Sequence, residues 1–142
     1  PKQSIYNVGK FGVKAFTESL ALEMEMAESP VEVYCVFPGH IGTNIYHASK
    51  FKSFEADDAG AAIFGANAST IEEAADQFKN NAPSSPEHAA KVIIKNIKKK
   101  NKRILIGADA HFYDLMSRLF PNHFLKIIWV WPFLRSLFTR NK

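Results

Sequence analysis

Apolar residues recur at helical spacing along the start of the chain and then give way to an almost unbroken apolar run. Over residues 6–26 the apolar positions fall three or four residues apart, which predicts one long helix. The stripe consists of Phe11, Ala15, Phe16, Leu20, Ala21 and Met24. Ser29 and Pro30 are expected to end this helix. Residues 31–37 (VEVYCVF) then predict a strand buried on both faces, as in a parallel sheet.

A second helix start follows much later in the chain. The sequence SSPE at residues 84–87 fits two arrangements, a capping box from Ser84 to Glu87, or Ser85 as the cap with Pro86 at the first helical position. The apolar side of the helix is expected to bury a stripe of small and branched residues. These are Ala89, Ala90, Val92, Ile93 and Ile97.

After this helix the sequence predicts a second strand and then a last helix. Residues 103–107 predict the last strand, and residues 109–120 predict a helix that Pro121 ends. Residues 44–83 are the least regular section, apart from a short amphipathic helix expected at about 71–80. The order helix, strand, helix, strand, helix indicates an α/β protein.

Composition and charge narrow the class of protein. The chain has 142 residues, 46% of them hydrophobic and 23% charged, which suits one globular domain. Cys35 is the single cysteine, so no disulfide framework can form within the chain, and this fits a reducing compartment. The five histidines are scattered without metal-ligand spacing, so no metal site is predicted.

Candidate chemistry lies at the start of the first helix. Tyr6 and Lys10 are four residues apart, so a helix places them on one face. A nearby ammonium favours the phenolate and lowers the pKa of a phenol, which makes it a usable proton donor or acceptor near neutral pH. Alone, this spacing is a weak signal, because many surface helices carry it. Ser4 is expected to cap the helix, and Lys14 is expected to be a solvated charge.

The surrounding sequence makes the signal specific. Residues 4–13 (SIYNVGKFGV), followed by FTESL at 16–20, resemble the catalytic helix of the short-chain dehydrogenase/reductase family. The sequence PGHIGT at 38–43, directly after the predicted strand, resembles the Pro-Gly-x-Ile-x-Thr segment of the same family. The likeness covers residues 1 to about 120 and corresponds to the C-terminal half of the family's domain.

The resemblance implies a Rossmann-like, doubly wound parallel sheet and hydride transfer on an alcohol or carbonyl substrate. Tyr6 would be the general acid/base. Lys10 would lower the pKa of Tyr6 and bind the nicotinamide ribose of NAD or NADP. The section 44–83 would hold the substrate loop, and the ending of the domain is similar to members acting on lipid-like substrates. The complete protein is expected to be a cytoplasmic homo-oligomer.

The same resemblance assigns the nicotinamide end of the cofactor to the segment after the strand. Pro38 and Gly39 would form the turn, the backbone of Ile41 would meet the carboxamide, and Thr43 would bond the carboxamide or the pyrophosphate. In open parallel sheets ligands do bind beyond the carboxyl ends of strands. Without the tyrosine helix, a plain turn would be the better interpretation of Pro38-Gly39.

Several parts of the family's domain are missing from this sequence. No glycine-rich phosphate loop occurs in it, and the family's first strands and its active-site serine and asparagine would precede residue 1. We therefore expect a fragment, with residues 1–120 supplying the C-terminal part of the domain and 121–142 forming a hydrophobic, basic tail. The 142-residue chain alone is expected to lack dehydrogenase activity.

Two basic or apolar segments allow other functions. The basic run at 98–103 fits a solvated connector at a helix end better than a nucleic-acid site. The tail at 124–140 combines Trp129, Trp131 and flanking cations, which suits a membrane surface, but its uncharged run is far shorter than the roughly 20 residues of a spanning helix. Packing against another subunit or the missing half is the alternative. A non-catalytic interaction module also remains open.

Overall fold

The computed structural model describes residues 4–45 and 71–126 of the chain. These residues form, in order, α1 (Ser4–Met26), β1 (Cys35–Pro38), α2 (Ile71–Asn80), α3 (Pro86–Lys98), β2 (Arg103–Ile106) and α4 (Ala108–Leu119). The described chain is therefore α/β, mostly helical, with a small parallel sheet of β1 and β2. This confirms the predicted class, while the larger doubly wound sheet stays a prediction.

The sheet is shorter and less covered than the sequence predicted. Cys35 pairs with Arg103, and Pro38 pairs with Ile106 at the carboxyl ends of the strands. The strand expected at 31–37 begins only at Cys35, and its residues alternate between half-buried and exposed. The prediction of burial on both faces was wrong for the described chain. Val36, for example, is 37% exposed.

The core lies between β2 and α3. Ile104 and Ile106 are each 1% exposed, and Ala89 of α3 packs with them. Val92 and Ile93 are half-buried against this cluster, as the predicted stripe requires. Ala90 and Ile97 of the same stripe are exposed. The main buried cluster thus lies on the side of the sheet that α3 covers, while Ala75 of α2 and Ala110 of α4 are buried outside it.

The helix starts and ends follow local rules. Ser85 caps α3 by accepting a hydrogen bond from the His88 amide, with Pro86 at the first turn, so the second of the two predicted starts is confirmed. Ser4 is already helical, so its predicted role as a cap was wrong. The end of α1 is a Schellman motif, in which the amide of Ser29 donates to the Met24 carbonyl at 2.9 Å.

The apolar stripe of α1 is not buried by the described residues. No residue of this helix is buried, and residues 4–13 are all exposed. The contacts that hold α1 lie in its second half, where Glu18 pairs with Arg103 at 3.6 Å and Glu25 pairs with Lys102 at 3.1 Å. The first half of α1 is a free-standing helix relative to the described elements.

Arg103 joins three elements. Its guanidinium carbon lies 4.1 Å from the centre of the Phe37 ring, and its Nη2 donates to Asp114 of α4 at 2.5 Å. Burial alone would raise the pKa of Asp114, but hydrogen bonds from Arg118 and Arg103 outweigh it and lower the pKa. Together with its contact to Glu18, Arg103 links α1, the sheet and α4.

The remaining predictions for the second half have mixed outcomes. The helices expected at 71–80 and 109–120 are confirmed as α2 and α4. Most of the predicted substrate section, residues 46–70, and the tail from residue 127 onward lie outside the described residues. Within the ranges that are described, no helix combines the length and apolar character needed to cross a membrane.

Candidate active site

Tyr6 and Lys10 lie on the exposed first turns of α1. Their spacing places the Lys10 Nζ 5.4 Å from the centre of the Tyr6 ring, within the range of a cation–π contact. Tyr6 is 60% exposed. Lys14 has the same spacing from Lys10 but turns to Glu18, with a 2.8 Å ion pair. The predicted solvated charge is therefore engaged along the helix surface, and the two lysines have different partners.

Tyr34 offers a contrast with Tyr6. Its hydroxyl donates to the Glu32 carboxylate at 2.6 Å. This hydrogen bond, together with partial desolvation, raises the pKa of Tyr34. A phenol held in this way is poorly suited to exchange protons near neutral pH, so Tyr34 serves as a matched comparison for Tyr6.

The turn at residues 38–43 stands at the carboxyl end of the sheet. Pro38 ends β1, and the amide of Gly39 still donates to the Ile106 carbonyl at 2.9 Å, which continues the pairing with β2 by one step. Beyond this point the chain leaves the sheet. The segment therefore occupies the edge where ligands of parallel sheets bind.

Asp109 of α4 holds the first part of this turn. The amide of His40 donates to Asp109 Oδ2 at 2.6 Å. A Cβ built on Gly39 would overlap the Asp109 carboxylate, and the same is true of Gly107, whose φ of 91° also favours glycine. Asp109 was not among the site residues predicted from the sequence. The available signal was an acid in the first turn of a helix that begins directly after a strand.

Ser84 holds the second part of the turn. Its carbonyl accepts a 2.9 Å hydrogen bond from the Gly42 amide, and Ile41 and Ser84 form an isolated parallel bridge. The amide of Thr43 donates back to the Ile41 carbonyl at 2.8 Å, which closes a tight turn. Ser84 itself is buried. The turn is thus attached to the residue that directly precedes the cap of α3.

The side chain of His40 attaches the turn to α2. Its Nε2 lies 2.7 Å from the Phe78 carbonyl, and the two rings are 4.2 Å apart. A Cβ on Gly42 would lie 2.6 Å from the Lys79 carbonyl oxygen, so the backbone of the turn approaches α2 closely. Glycine at position 42 is therefore a packing requirement.

The structure brings four of the predicted residues together and leaves two apart from them. Pro38, Gly39, Ile41 and Thr43 share the anchored turn. Tyr6 and Lys10 are on α1, whose anchor at Glu18 lies eight residues beyond Lys10, about 12 Å further along the helix axis. No described element fixes the first turns of α1 against the 38–43 turn.

A small cavity lies between the second half of α1 and the sheet. Its volume is about 150 Å³, and its lining includes Thr17, Ala21, Val33 and Cys35. Burial raises the pKa of the Cys35 thiol, so this cysteine stays protonated and is not an activated nucleophile. In the described ranges, no group of three or more His, Cys, Asp or Glu side chains is placed to hold a metal ion.

The described residues offer polar groups at two separate places, Lys10 and the 38–43 turn. Lys10 offers a cation and hydrogen-bond donors, and the 38–43 turn offers a fixed backbone at the carboxyl end of a parallel strand. Nothing in the sequence supplies the glycine-rich loop that binds the phosphates.

Comparison with known proteins finds similarity to part of a longer chain. Two curated proteins, both named "Putative oxidoreductase SadH", come from Mycobacterium tuberculosis strains CDC 1551 / Oshkosh and ATCC 25618 / H37Rv. Each is 35% identical over 128 residues, which cover 90% of this chain and 42% of the relative. No protein-family profile and no solved structure matches the chain. The chain thus spans less than half the length of the curated relatives it matches.

Proposed function

We propose that the chain supplies the proton-transfer helix and the nicotinamide-end turn of an NAD(P)-dependent oxidoreductase of the short-chain dehydrogenase/reductase type. The observation that carries the proposal is that the Lys10 ammonium lies over the Tyr6 ring on an exposed helix. The same chain places the anchored 38–43 turn at the carboxyl end of β1. Similarity to proteins named as oxidoreductases supports the same activity class.

In this proposal Tyr6 exchanges the substrate proton. A carbonyl that is reduced needs a proton donor at its oxygen, and an alcohol that is oxidised needs a proton acceptor there. The Lys10 cation stabilises the negative charge that develops on the phenol oxygen, and it also reaches the ribose hydroxyls. When bound, the nicotinamide dinucleotide supplies or receives the hydride.

The 38–43 turn orients the nicotinamide and takes no part in proton transfer. Its backbone at Ile41 and the hydroxyl of Thr43 are the proposed contacts to the nicotinamide carboxamide. Hydrogen bonds to Ile106, Asp109 and Ser84 fix the turn before any ligand arrives. Such preorganisation lowers the ordering cost of binding and holds the reacting groups in line.

The experiment compares two tyrosines in the complete protein. Tyr6→Phe should lower turnover with NADH or NADPH by at least about a hundredfold, which is a typical contribution of general acid/base catalysis. Binding of the dinucleotide should change little, because the phenyl ring remains. Tyr34→Phe is the matched control and should leave turnover unchanged, since its hydroxyl faces Glu32. Full turnover in Tyr6→Phe would overturn the proposal.

A second function is a non-catalytic interaction module. The observation in its favour is the exposure of large apolar side chains on α1, where Ile5 is 88% exposed and Phe11 is 72% exposed. Such a face is suited to a partner. Analytical ultracentrifugation and a dinucleotide titration on the same sample separate the two functions. Self-association without any dinucleotide binding favours the module.

A further inference from the structure

We propose that Asp109 is a positioning residue that fixes the 38–43 turn in the conformation that receives the nicotinamide end of the cofactor. This inference rests on the proposed function, because it concerns the binding turn of that site. The sequence predicts only a helix start at Asp109, and its contacts in the structure point to the role. Asp109 acts through the backbone of the turn, not on the substrate.

The first support is a hydrogen bond to the backbone. Asp109 Oδ2 accepts from the His40 amide at 2.6 Å, and this contact spans 69 residues of sequence. A carboxylate that accepts from an amide makes a stronger bond than a neutral acceptor does. The bond lies between the Gly39–Ile106 and Gly42–Ser84 hydrogen bonds, so it fixes the first part of the turn, which those two bonds do not hold at His40.

The second support is the close packing of the Asp109 carboxylate against two glycines. The carboxylate fills the space that a side chain on Gly39 or Gly107 would need. Asp109 Oδ1 is buried and makes no hydrogen bond within the described part of the chain. Keeping a polar atom buried in this state costs free energy, which the hydrogen bond that Oδ2 accepts from His40 helps to offset.

The third support is the position of Asp109 in α4. It lies in the first turn of the helix, where the backbone amides favour a negative charge. The helix follows β2 directly through Gly107, so the carboxylate is carried by the strand that pairs with β1. The turn and its support are therefore fixed to the same two-stranded unit.

The proposal predicts a separation between cofactor binding and proton transfer. Asp109→Ala should weaken binding of NADH or NADPH to the complete protein by about tenfold or more, the range expected for loss of a charge-assisted hydrogen bond. Asp109→Asn keeps an oxygen for the His40 amide and should restore most of the affinity. The pH at which the rate profile bends should stay unchanged, because Tyr6 and Lys10 are untouched.

Asp114→Ala is the matched control. Asp114 lies on the same helix and also pairs with a protein group, Arg103, but it does not touch the turn. This variant should lower stability and leave the dissociation constant of the dinucleotide within about threefold of the parent. Nicotinamide fluorescence gives that constant for the folded fraction in each variant.

Gly39→Ala provides a second test that does not remove Asp109. The new methyl group would displace the carboxylate and should weaken dinucleotide binding to a similar extent. In Gly39→Ala/Asp109→Ala the space is vacant, so the double variant should bind no worse than Asp109→Ala alone. Simple additivity of the two losses would overturn the positioning role.

The outcomes separate this inference from the proposed function. Wild-type dinucleotide affinity in Asp109→Ala, with turnover still abolished by Tyr6→Phe, would overturn the role of Asp109 and leave the proposed function intact. Full turnover in Tyr6→Phe would overturn the proposed function itself. Weak binding in Asp109→Ala with recovery in Asp109→Asn supports both.

Discussion

The two halves of the candidate site are built in opposite ways. Tyr6 and Lys10 depend only on a helix, because four-residue spacing brings them together on an exposed surface. The 38–43 turn depends on two distant segments, one that contributes Ser84 and one that contributes both Ile106 and Asp109. The Tyr6–Lys10 pair is therefore encoded locally by its spacing, whereas the 38–43 turn needs tertiary contacts to hold it.

The largest expected effect on stability concerns the core between β2 and α3. Ile104→Ala should lower the free energy of unfolding by about 3 kcal/mol, because the side chain is 1% exposed and its loss leaves a cavity. Phe11→Ala, on the free half of α1, should change it by less than about 0.5 kcal/mol. Urea denaturation of the chain measures both. Equal effects would show that the two regions are packed alike.

A smaller effect is expected where the two regions are joined. Arg103→Met should cost about 2 kcal/mol, since it removes the pair with Asp114, the link to Glu18 and the cation over Phe37. Lys102→Met breaks only the exposed contact to Glu25 and should cost less than about 1 kcal/mol. If the two variants unfold at the same urea concentration, Arg103 is not the link between α1 and the sheet.

The sequence predicted local features better than tertiary ones. The extent of α1 and one of the two predicted starts of α3, at Ser85–Pro86, were correct, because spacing, caps and proline act over a few residues. The burial of 31–37 on both faces was wrong, since burial depends on which elements cover the strand. Asp109 was missed for the same physical reason. Its partner, the amide of His40, is 69 residues away, and the periodicity of a sequence does not reveal contacts between such distant residues.

The free energy of unfolding is expected to depend on pH through Asp114 of α4. The hydrogen bonds of Arg118 and Arg103 lower the pKa of Asp114 below its ordinary 3.8, despite the opposing effect of burial. A depressed carboxyl pKa contributes stability above the unfolded pKa, and this contribution is lost as the pH falls through the folded value. Unfolding should therefore become easier below about pH 4. Asp114→Asn should remove that part of the dependence, and an unchanged profile would contradict the assignment.

The smallest expected effect on stability concerns the exposed first half of α1. A Cβ on Gly9 would meet no atom of the described chain within 4 Å. Gly9→Ala should therefore raise the helicity of α1 and stabilise the chain by up to about 1 kcal/mol. Circular dichroism with thermal unfolding tests this. If another segment of the complete protein packs on this face, the same substitution should be destabilising there.

The central claim is that Tyr6 and Lys10 form the proton-transfer pair, and the lysines of α1 test it most directly. Lys10 lies over the Tyr6 ring, while Lys14, one turn later, pairs with Glu18. We would measure kcat/KM of the complete protein with NADH and NADPH for Lys10→Met and Lys14→Met. We predict a loss of at least about a hundredfold for Lys10→Met and less than about threefold for Lys14→Met. Equal values for the two variants would contradict it.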